Sequence, residues 1–182
     1  MSDLDSRRVI RPATPKDAEA IARVQRDSWR TSYTGILPLE VIAAHTGARD
    51  PTEWARRIAR GGTDGATFVA ERGGKVVGFA NCGPAREPVK GLDGEIYALY
   101  VLQEHQRRGV GRELVRACAR HFASRGLFGL FLWVLKANRA RMFYGALGGE
   151  EVGEKTERLG RFDFAQVAYG WNDLTGLIAD LE

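Results

Sequence analysis

The sequence has few cysteines and no long apolar run, and each shortage excludes a class of protein. Only two of the 182 residues are cysteines, Cys82 and Cys118, and neither lies in a CxxC or beside a histidine, so no disulfide framework is expected. The longest mostly apolar run, 127–135, is far shorter than a membrane span. The chain also lacks a Pro-rich linker and any repeat of about 20 to 50 residues.

A secretory signal is also missing. Residues 1–9 carry two aspartates and two arginines, with no apolar stretch behind a basic head. Together with the low cysteine count, this predicts a cytoplasmic protein without a membrane partner.

What is present fits one globular domain. At 20.1 kDa, with 44% hydrophobic and 27% charged residues, the chain is long enough to bury a single core. We place one domain at residues 8–171 and treat 1–7 and 172–182 as terminal extensions. The net charge is +4, and five of the 27 basic residues are lysines, which leaves 22 arginines. This excess favours a phosphate-bearing partner without identifying one.

The strand pattern predicts an α/β fold with a mixed β-sheet and helices on both faces. The pattern contains two hairpins with one strand-helix-strand unit between them, and residues 83–93 are expected to form a loop. The most apolar strand is expected in the middle of the sheet. The predicted strands are 9–10, 66–70, 75–81, 95–101, 127–134, 151–158 and 162–171. The predicted helices are 18–31, 109–125, 139–147 and a helical region at 38–60, for which a break near Gly47 is the alternative to one continuous helix.

The sharpest motif lies between a predicted strand and the helix that follows it, in the sequence QRRGVGR at 106–112. Glycines let the backbone turn tightly there, and N–H groups at a helix start, helped by the helix dipole, attract anions. The pattern is neither a Walker loop nor a dinucleotide fingerprint. A glycine-opened helix with solvated arginines explains the same residues equally well.

With this motif, the sequence resembles the GNAT superfamily of acyl-CoA-dependent N-acetyltransferases. The resemblance covers nearly the whole chain. Its segments are IRPATPKDAEAIARV near the start, EIYALYVLQEHQRRGVGRELV in the middle and NRARMFYGALGG near the end, in the order typical of the family.

The resemblance implies acetyl-CoA as cosubstrate and no metal. In that family the strand matching Leu99, Tyr100 and Val101 pairs with the pantetheine arm through its main chain. Asn138 matches a pantetheine contact, although it stands one residue closer to Tyr144 than in most relatives. The segment that would wrap the pyrophosphate consists of Gln106, Arg107, Arg108, Gly109, Val110, Gly111 and Arg112.

Direct attack by an amine implies an acid and a base. Tyr144 matches the family's tyrosine, whose hydroxyl donates to the leaving thiolate; a packing role is the alternative. Glu95 matches the glutamate base of some members, and strand alternation places it on the face of Leu99 and Val101. A structural charge at a strand entry is the equal alternative for Glu95.

Two aromatic residues are candidates for the acceptor site. Trp29 and Tyr33 are four residues apart on one predicted helix face and could wall a pocket for an amine. Simple core packing explains them at least as well. The acceptor itself, a small amine or a peptide or protein amine, is left open, and so is the oligomeric state, with a homodimer as one option.

The predicted function is therefore acetyl transfer from acetyl-CoA to a primary amine in a ternary complex. A non-catalytic acyl-CoA sensor or regulatory module is the alternative. Nucleic-acid binding is not expected, because no recognition motif accompanies the mild positive charge.

Overall fold

A computed structural model describes residues 8–47, 50–61 and 65–181. These residues form a seven-stranded sheet in the order β1-β2-β3-β4-β5-β7-β6. All neighbouring strands are antiparallel except β4 and β5, which the crossover through α4 makes parallel. The strands are β1 (Arg8–Pro12), β2 (Ala66–Arg72), β3 (Lys75–Val89), β4 (Leu92–Val101), β5 (Leu130–Leu135), β6 (Glu150–Leu159) and β7 (Phe162–Trp171).

Helices cover both faces of this sheet, so the predicted α/β class is confirmed. The helices α1 and α3 pack on one face with Val69 and Phe79, whereas α4 packs on the other with Leu130 and Leu132. The helices are α1 (Ala18–Tyr33), α2 (Leu39–Gly47), α3 (Pro51–Arg60), α4 (Val110–Ala123), α5 (Ala140–Ala146) and α6 (Leu174–Asp180).

The predicted loop at 83–93 is wrong. Strand β3 runs on to Val89, and β4 begins at Leu92, so the two strands form one long hairpin. Its tip is a tight turn in which Lys90 and Gly91 both have positive φ. Polar residues with two prolines hid this strand, because its outer part is largely exposed and so does not show the alternating apolar pattern.

A capping motif fixes the start of α1. Thr14 and Asp17 form a capping box around a short 3-10 turn, with Pro15 at its first position. The carboxylate of Asp17 also accepts two hydrogen bonds from Arg11 of β1, at 2.8 and 2.9 Å. These contacts tie the first helix to the edge of the sheet.

Residues 172–182, treated above as an extension, contain α6, which packs against α4. Leu174 and Leu177 are buried in the core cluster of α4. Two arginines of α4 donate to the last carbonyls of this region: Arg112 to Asp180, and Arg116 to Leu181 at 2.9 Å. The carboxyl end of α6 is thus capped by side chains of α4.

Candidate active site

The main cleft opens where β4 and β5 separate. The two strands pair only at Gly94 with Leu130 and at Glu95 with Phe131. Beyond these pairs, no strand among the described residues pairs with residues 96–101 of β4 on that side. The resulting cleft has a volume of about 1230 Å³ and is lined from α1, α3, β4, β5, α5 and β6.

One wall of the cleft is the free edge of β4. Leu99, Tyr100 and Val101 line the cleft, and on their other side they pair with β3. In an antiparallel ladder, alternate residues direct both backbone groups away from the partner strand. The edge therefore offers main-chain hydrogen bonds to an extended ligand, and Gln106 already donates to the Val101 carbonyl at 3.0 Å.

The turn before α4 presents N–H groups at the other end of this wall. Arg107 and Gly109 both have positive φ, at 53° and 82°. The first bond of the helix runs from Glu113 N–H to the Gly109 carbonyl, so the preceding N–H groups have no intrahelical acceptor. Gln106, Arg107 and Gly111 line the cleft, which makes the predicted anion site part of it.

Gly111 packs closely against α5, the helix that carries Tyr144. A Cβ atom at this position would lie 3.0 Å from the ring of Phe143, so a larger residue would require that ring to shift.

The structure does not bring all the predicted loop residues to the cleft. Val110 is buried in the core. Arg108 lines a separate small pocket with Arg8 and Glu113, and Arg112 reaches Asp180 instead. The three arginines of the segment predicted to wrap the pyrophosphate are therefore separated from one another, and Arg107 is the one that lines the cleft.

Three tyrosine hydroxyls meet at the centre of the cleft. Tyr144 is 7% exposed, and its burial, followed by the neighbouring Tyr100, raises its pKa above the usual value near 10. Burial also raises the pKa of Tyr33, whose hydroxyl is hydrogen-bonded to Tyr100. The phenols of Tyr33 and Tyr144 therefore keep their protons at neutral pH.

Asn138 joins this group despite the shortened turn. Its Oδ1 accepts from Ala140 N–H at 2.9 Å at the start of α5. Its side chain also forms a hydrogen bond with Tyr33, which lowers the pKa of Tyr33 but is outweighed by the effect of burial. Asn138 therefore lies in the cleft together with Tyr33 and Tyr144.

The predicted pair on α1 lies in the same cluster. The rings of Trp29 and Tyr33 are 4.6 Å apart, and Trp29 Nε1 donates to the Tyr100 hydroxyl at 2.9 Å. His45 of α2 stacks on the other side of Trp29, also at 4.6 Å. Trp29 is buried and Tyr33 partly exposed, so both packing and cleft lining are present in this pair.

Glu95 is placed differently from the prediction. It is 1% exposed, and its carboxylate accepts from the backbone N–H of Arg86 at 3.0 Å and from Arg86 Nε at 3.2 Å. The cleft lining includes Arg86 but not Glu95.

The shared face proposed for Glu95, Leu99 and Val101 is wrong. Asn81 of β3 pairs with Ala98, but the next residue, Cys82, pairs with Ile96, so Tyr97 is an extra residue on β4. This β-bulge shifts the alternation by one. As a result Ile96 shares the α4 side of the sheet with Leu99 and Val101, and Glu95 does not.

Sequence reasoning missed several charged and polar residues at the far end of the cleft, on the side of α3 and β6. Arg57 lies over the Trp54 ring and donates to Asn81 Oδ1 at 3.2 Å. No local pattern marks these residues, because they come from elements distant in sequence. The missed residues are His45, Asp50, Trp54, Arg57, Asn81, Arg86, Lys155 and Glu157.

The two cysteines do not line the cleft. Cys82 and Cys118 are fully buried free thiols in the core. The neighbouring Cys82 and burial raise the pKa of Cys118 well above its usual value. Because both thiols are buried, neither is accessible to act as a nucleophile.

Comparison with known proteins assigns the chain to a family of acetyltransferases. The family model described as the Acetyltransferase (GNAT) family matches residues 23–148, and the chain belongs to this family. It is an N-acetyltransferase of the GNAT acyltransferase type, as its relatives are named.

Two named relatives cover most of the chain. The "Uncharacterized N-acetyltransferase YuaI" of Bacillus subtilis is 36% identical over 169 residues, which are 92% of this chain and 95% of that protein. The "Probable N-acetyltransferase Rv2775" of Mycobacterium tuberculosis is 32% identical over 144 residues, 74% of this chain and 75% of that protein.

Solved structures show the same fold. The PaiA N-acetyltransferase of Thermoplasma acidophilum, solved in complex with coenzyme A, superimposes with a TM-score of 0.71 at 20% identity. The superposition covers 91% of this chain and 99% of the PaiA chain. A GCN5-related N-acetyltransferase from Rhodopseudomonas palustris gives 0.73 at 22% identity, covering 94% and 99%.

The described residues contain neither a candidate membrane-spanning helix nor a cluster of metal-ligating side chains. None of the helices in the described ranges is both long and apolar enough to span a bilayer. Over the same ranges, no three His, Cys, Asp or Glu side chains are grouped as metal ligands.

Proposed function

We propose that the protein transfers the acetyl group of acetyl-CoA to a primary amine by direct attack in a ternary complex. The observation that carries this proposal is one continuous cleft that joins an anion-binding helix start to a buried tyrosine. Family membership supports it, and so does the PaiA relative, whose structure contains coenzyme A.

The residues present fit coenzyme A. The N–H groups at the start of α4 and the Arg107 guanidinium suit its phosphates. The free edge of β4 at 99–101 suits an extended pantetheine arm, because alternate backbone groups there need partners. We call these elements, with α5, the coenzyme half of the cleft.

The coenzyme supplies the thioester, and the chain has to manage the charge on the departing sulfur. A thiol has a usual pKa of about 8.5, below that of a phenol, so Tyr144 acts mainly by donating a hydrogen bond to the thiolate. Its raised pKa keeps that proton in place. The amine gives up one proton when the amide forms, and the released thiol takes up one, so protons balance.

The acceptor has to arrive as a neutral amine. An alkylammonium with a pKa of about 10.4 is almost fully protonated at pH 7, so a base or a water path has to remove the proton. Glu95 is the base expected from the resemblance. Its ion pair with Arg86 weighs against this role, because a base would first have to leave that pair.

Replacing Glu95 with Gln tests the base, with the pH profile of kcat/KM as the measurement. Loss of the acidic limb would support the base, and an unchanged limb would leave Glu95 as the partner that holds Arg86.

The acceptor half of the cleft consists of its walls from α1, α2, α3 and β6. Trp29 and Tyr33 form its aromatic wall, and side chains of both charges surround its mouth. This half is open enough for either a small amine or a peptide amine.

Thiol release from acetyl-CoA across a panel of amines and N-terminal peptides tests the function. Turnover with at least one acceptor, lost in Tyr144→Phe, is the expected result. Tight coenzyme A binding without turnover across the panel would favour the sensor instead.

A further inference from the structure

The turn before α4 is held from behind by a residue of β1. Arg8 donates through Nε to Glu113 Oε2 at 2.9 Å and through Nη2 to Glu113 Oε1. Its third nitrogen, Nη1, donates to the Arg108 carbonyl. One guanidinium therefore binds both the first turn of α4 and the loop that leads into it.

This contact lies outside the cleft. Arg8, Arg108 and Glu113 line a second pocket of about 450 Å³, together with Arg72 and Val110. Arg107, directly before Arg108, and Gly111, three residues after it, line the main cleft instead. The turn thus separates the two pockets.

The direction of one peptide group follows from this arrangement. In a trans peptide the C=O and the next N–H point in opposite directions, and the described residues contain no cis peptide. Holding the Arg108 carbonyl towards Arg8 therefore turns the Gly109 N–H away from Arg8. That direction is the one an anion in the cleft requires.

We propose that Arg8 is a positioning residue for the coenzyme, acting with Glu113 as a clamp on residues 107–109. This inference rests on the proposed function. Arg8 touches neither the reacting atoms nor the cleft; it fixes the peptide orientation that makes the turn an anion site. It also neutralises the carboxylate of Glu113, which would otherwise repel phosphate near the helix start.

Two substitutions separate positioning from simple charge. Arg8→Ala removes the clamp and a positive charge, and it should raise the dissociation constant of coenzyme A about ten-fold. Glu113→Gln removes a negative charge beside the anion site, so charge alone predicts tighter binding. The clamp predicts the opposite, about three-fold weaker binding, because the guanidinium loses its bidentate anchor.

Arg72→Ala is the matched control. Arg72 lines the same pocket and its loss makes the same change in net charge, but within the described residues it makes no hydrogen bond to the turn. It should leave the dissociation constant of coenzyme A within about two-fold of the parent. The unfolding temperature of each variant, measured without coenzyme, identifies any general loss of stability.

Binding is measured by titration calorimetry with coenzyme A, and amide exchange of the peptide 106–112 is followed in the coenzyme-free protein. Faster exchange and weaker binding in both clamp variants, but not in Arg72→Ala, support the proposal. It is overturned if Glu113→Gln binds coenzyme A as tightly as the parent, or if Arg8→Ala behaves like Arg72→Ala.

The two readouts distinguish this inference from the proposed function. Failure of the parent protein to bind coenzyme A would contradict the proposed function, and the exchange of 106–112 would then decide the clamp by itself. Because Glu113→Gln leaves β1 unchanged, it decides the question even if Arg8→Ala does not fold.

Discussion

The coenzyme half and the acceptor half of the cleft differ in what supplies their recognition groups. In the coenzyme half the groups are mainly backbone: the edge of β4 and the N–H groups of the turn at 107–111. In the acceptor half they are side chains from α1, α2, α3 and β6. Backbone recognition depends on φ, ψ and close packing, whereas side-chain recognition depends on which residues meet. The first is therefore sensitive to glycine substitutions and the second to single polar groups.

The largest effect is expected where the two halves meet, at Tyr144. Tyr144→Phe removes the hydroxyl that donates to the departing sulfur and should lower kcat about 100-fold. The KM for acetyl-CoA should change little, since the ring still fills its site. Steady-state kinetics with both substrates varied measures these parameters.

Tyr169→Phe provides the control for this change. Tyr169 is equally buried beside Tyr144, but its hydroxyl donates to Glu151 at 2.8 Å and it does not line the cleft. Equal losses of kcat in the two variants would remove Tyr144 from the chemistry.

The next effect concerns the anchor of the acceptor half, Asp17 at the start of α1. Its hydrogen bond from Arg11 lowers the pKa of Asp17 from 3.8 to about 2 in the folded protein. The pair should therefore contribute up to about 2 kcal/mol above pH 4, and this stability is lost as the pH falls from about 4 towards 2.

Urea unfolding as a function of pH tests this contribution. Asp17→Asn should be less stable than the parent at pH 6, with the difference shrinking below pH 4. Asp163→Asn is the control, because Asp163 is in an exposed ion pair with Arg158 and should change stability by less than about 0.5 kcal/mol. A pH-independent loss in Asp17→Asn would contradict the assigned pKa.

A glycine pair tests the backbone character of the coenzyme half. Gly109 and Gly126 both have positive φ, at 82° and 77°, and they lie at opposite ends of α4. Alanine at either position should cost about 1 kcal/mol of stability. Gly109→Ala should also weaken coenzyme A binding about ten-fold, because the strain alters the anion site.

Calorimetry with coenzyme A and thermal unfolding separate these two effects. Equal coenzyme affinities for Gly109→Ala and Gly126→Ala would mean that the conformation of the turn does not matter for binding.

The smallest effect is expected in the acceptor half, from one hydrogen bond. Trp29→Phe removes the donor to the Tyr100 hydroxyl, worth about 1 kcal/mol, and should raise the acceptor KM about five-fold. The KM for acetyl-CoA should stay the same. Trp171→Phe loses a similar bond, to the Leu147 carbonyl at 2.8 Å, outside the cleft, and should not affect the acceptor KM.

The same contrast explains what could be predicted from the sequence. The turn at 106–111 and the helix after it form a local pattern, so glycine spacing is enough to predict the turn and the helix start, while the anion site there stays a prediction. The bond from Trp29 to Tyr100 joins residues 71 positions apart, and nothing local announces it. The placement of Glu95 failed for another reason: one extra residue, Tyr97, reverses the alternation, and a bulge has no clear sequence signal.

Backbone pairing between β4 and β5 is confined to two residue pairs. The sheet therefore consists of two parts, one with β1 to β4 and one with β5, β7 and β6, and only these two residue pairs below the cleft join them. The part with β6 and β7 can change its loops or shift its outer strands without disturbing the β3–β4 pairing that supports the coenzyme edge. Limited pairing of this kind allows one coenzyme-binding half to be combined with many different acceptor halves.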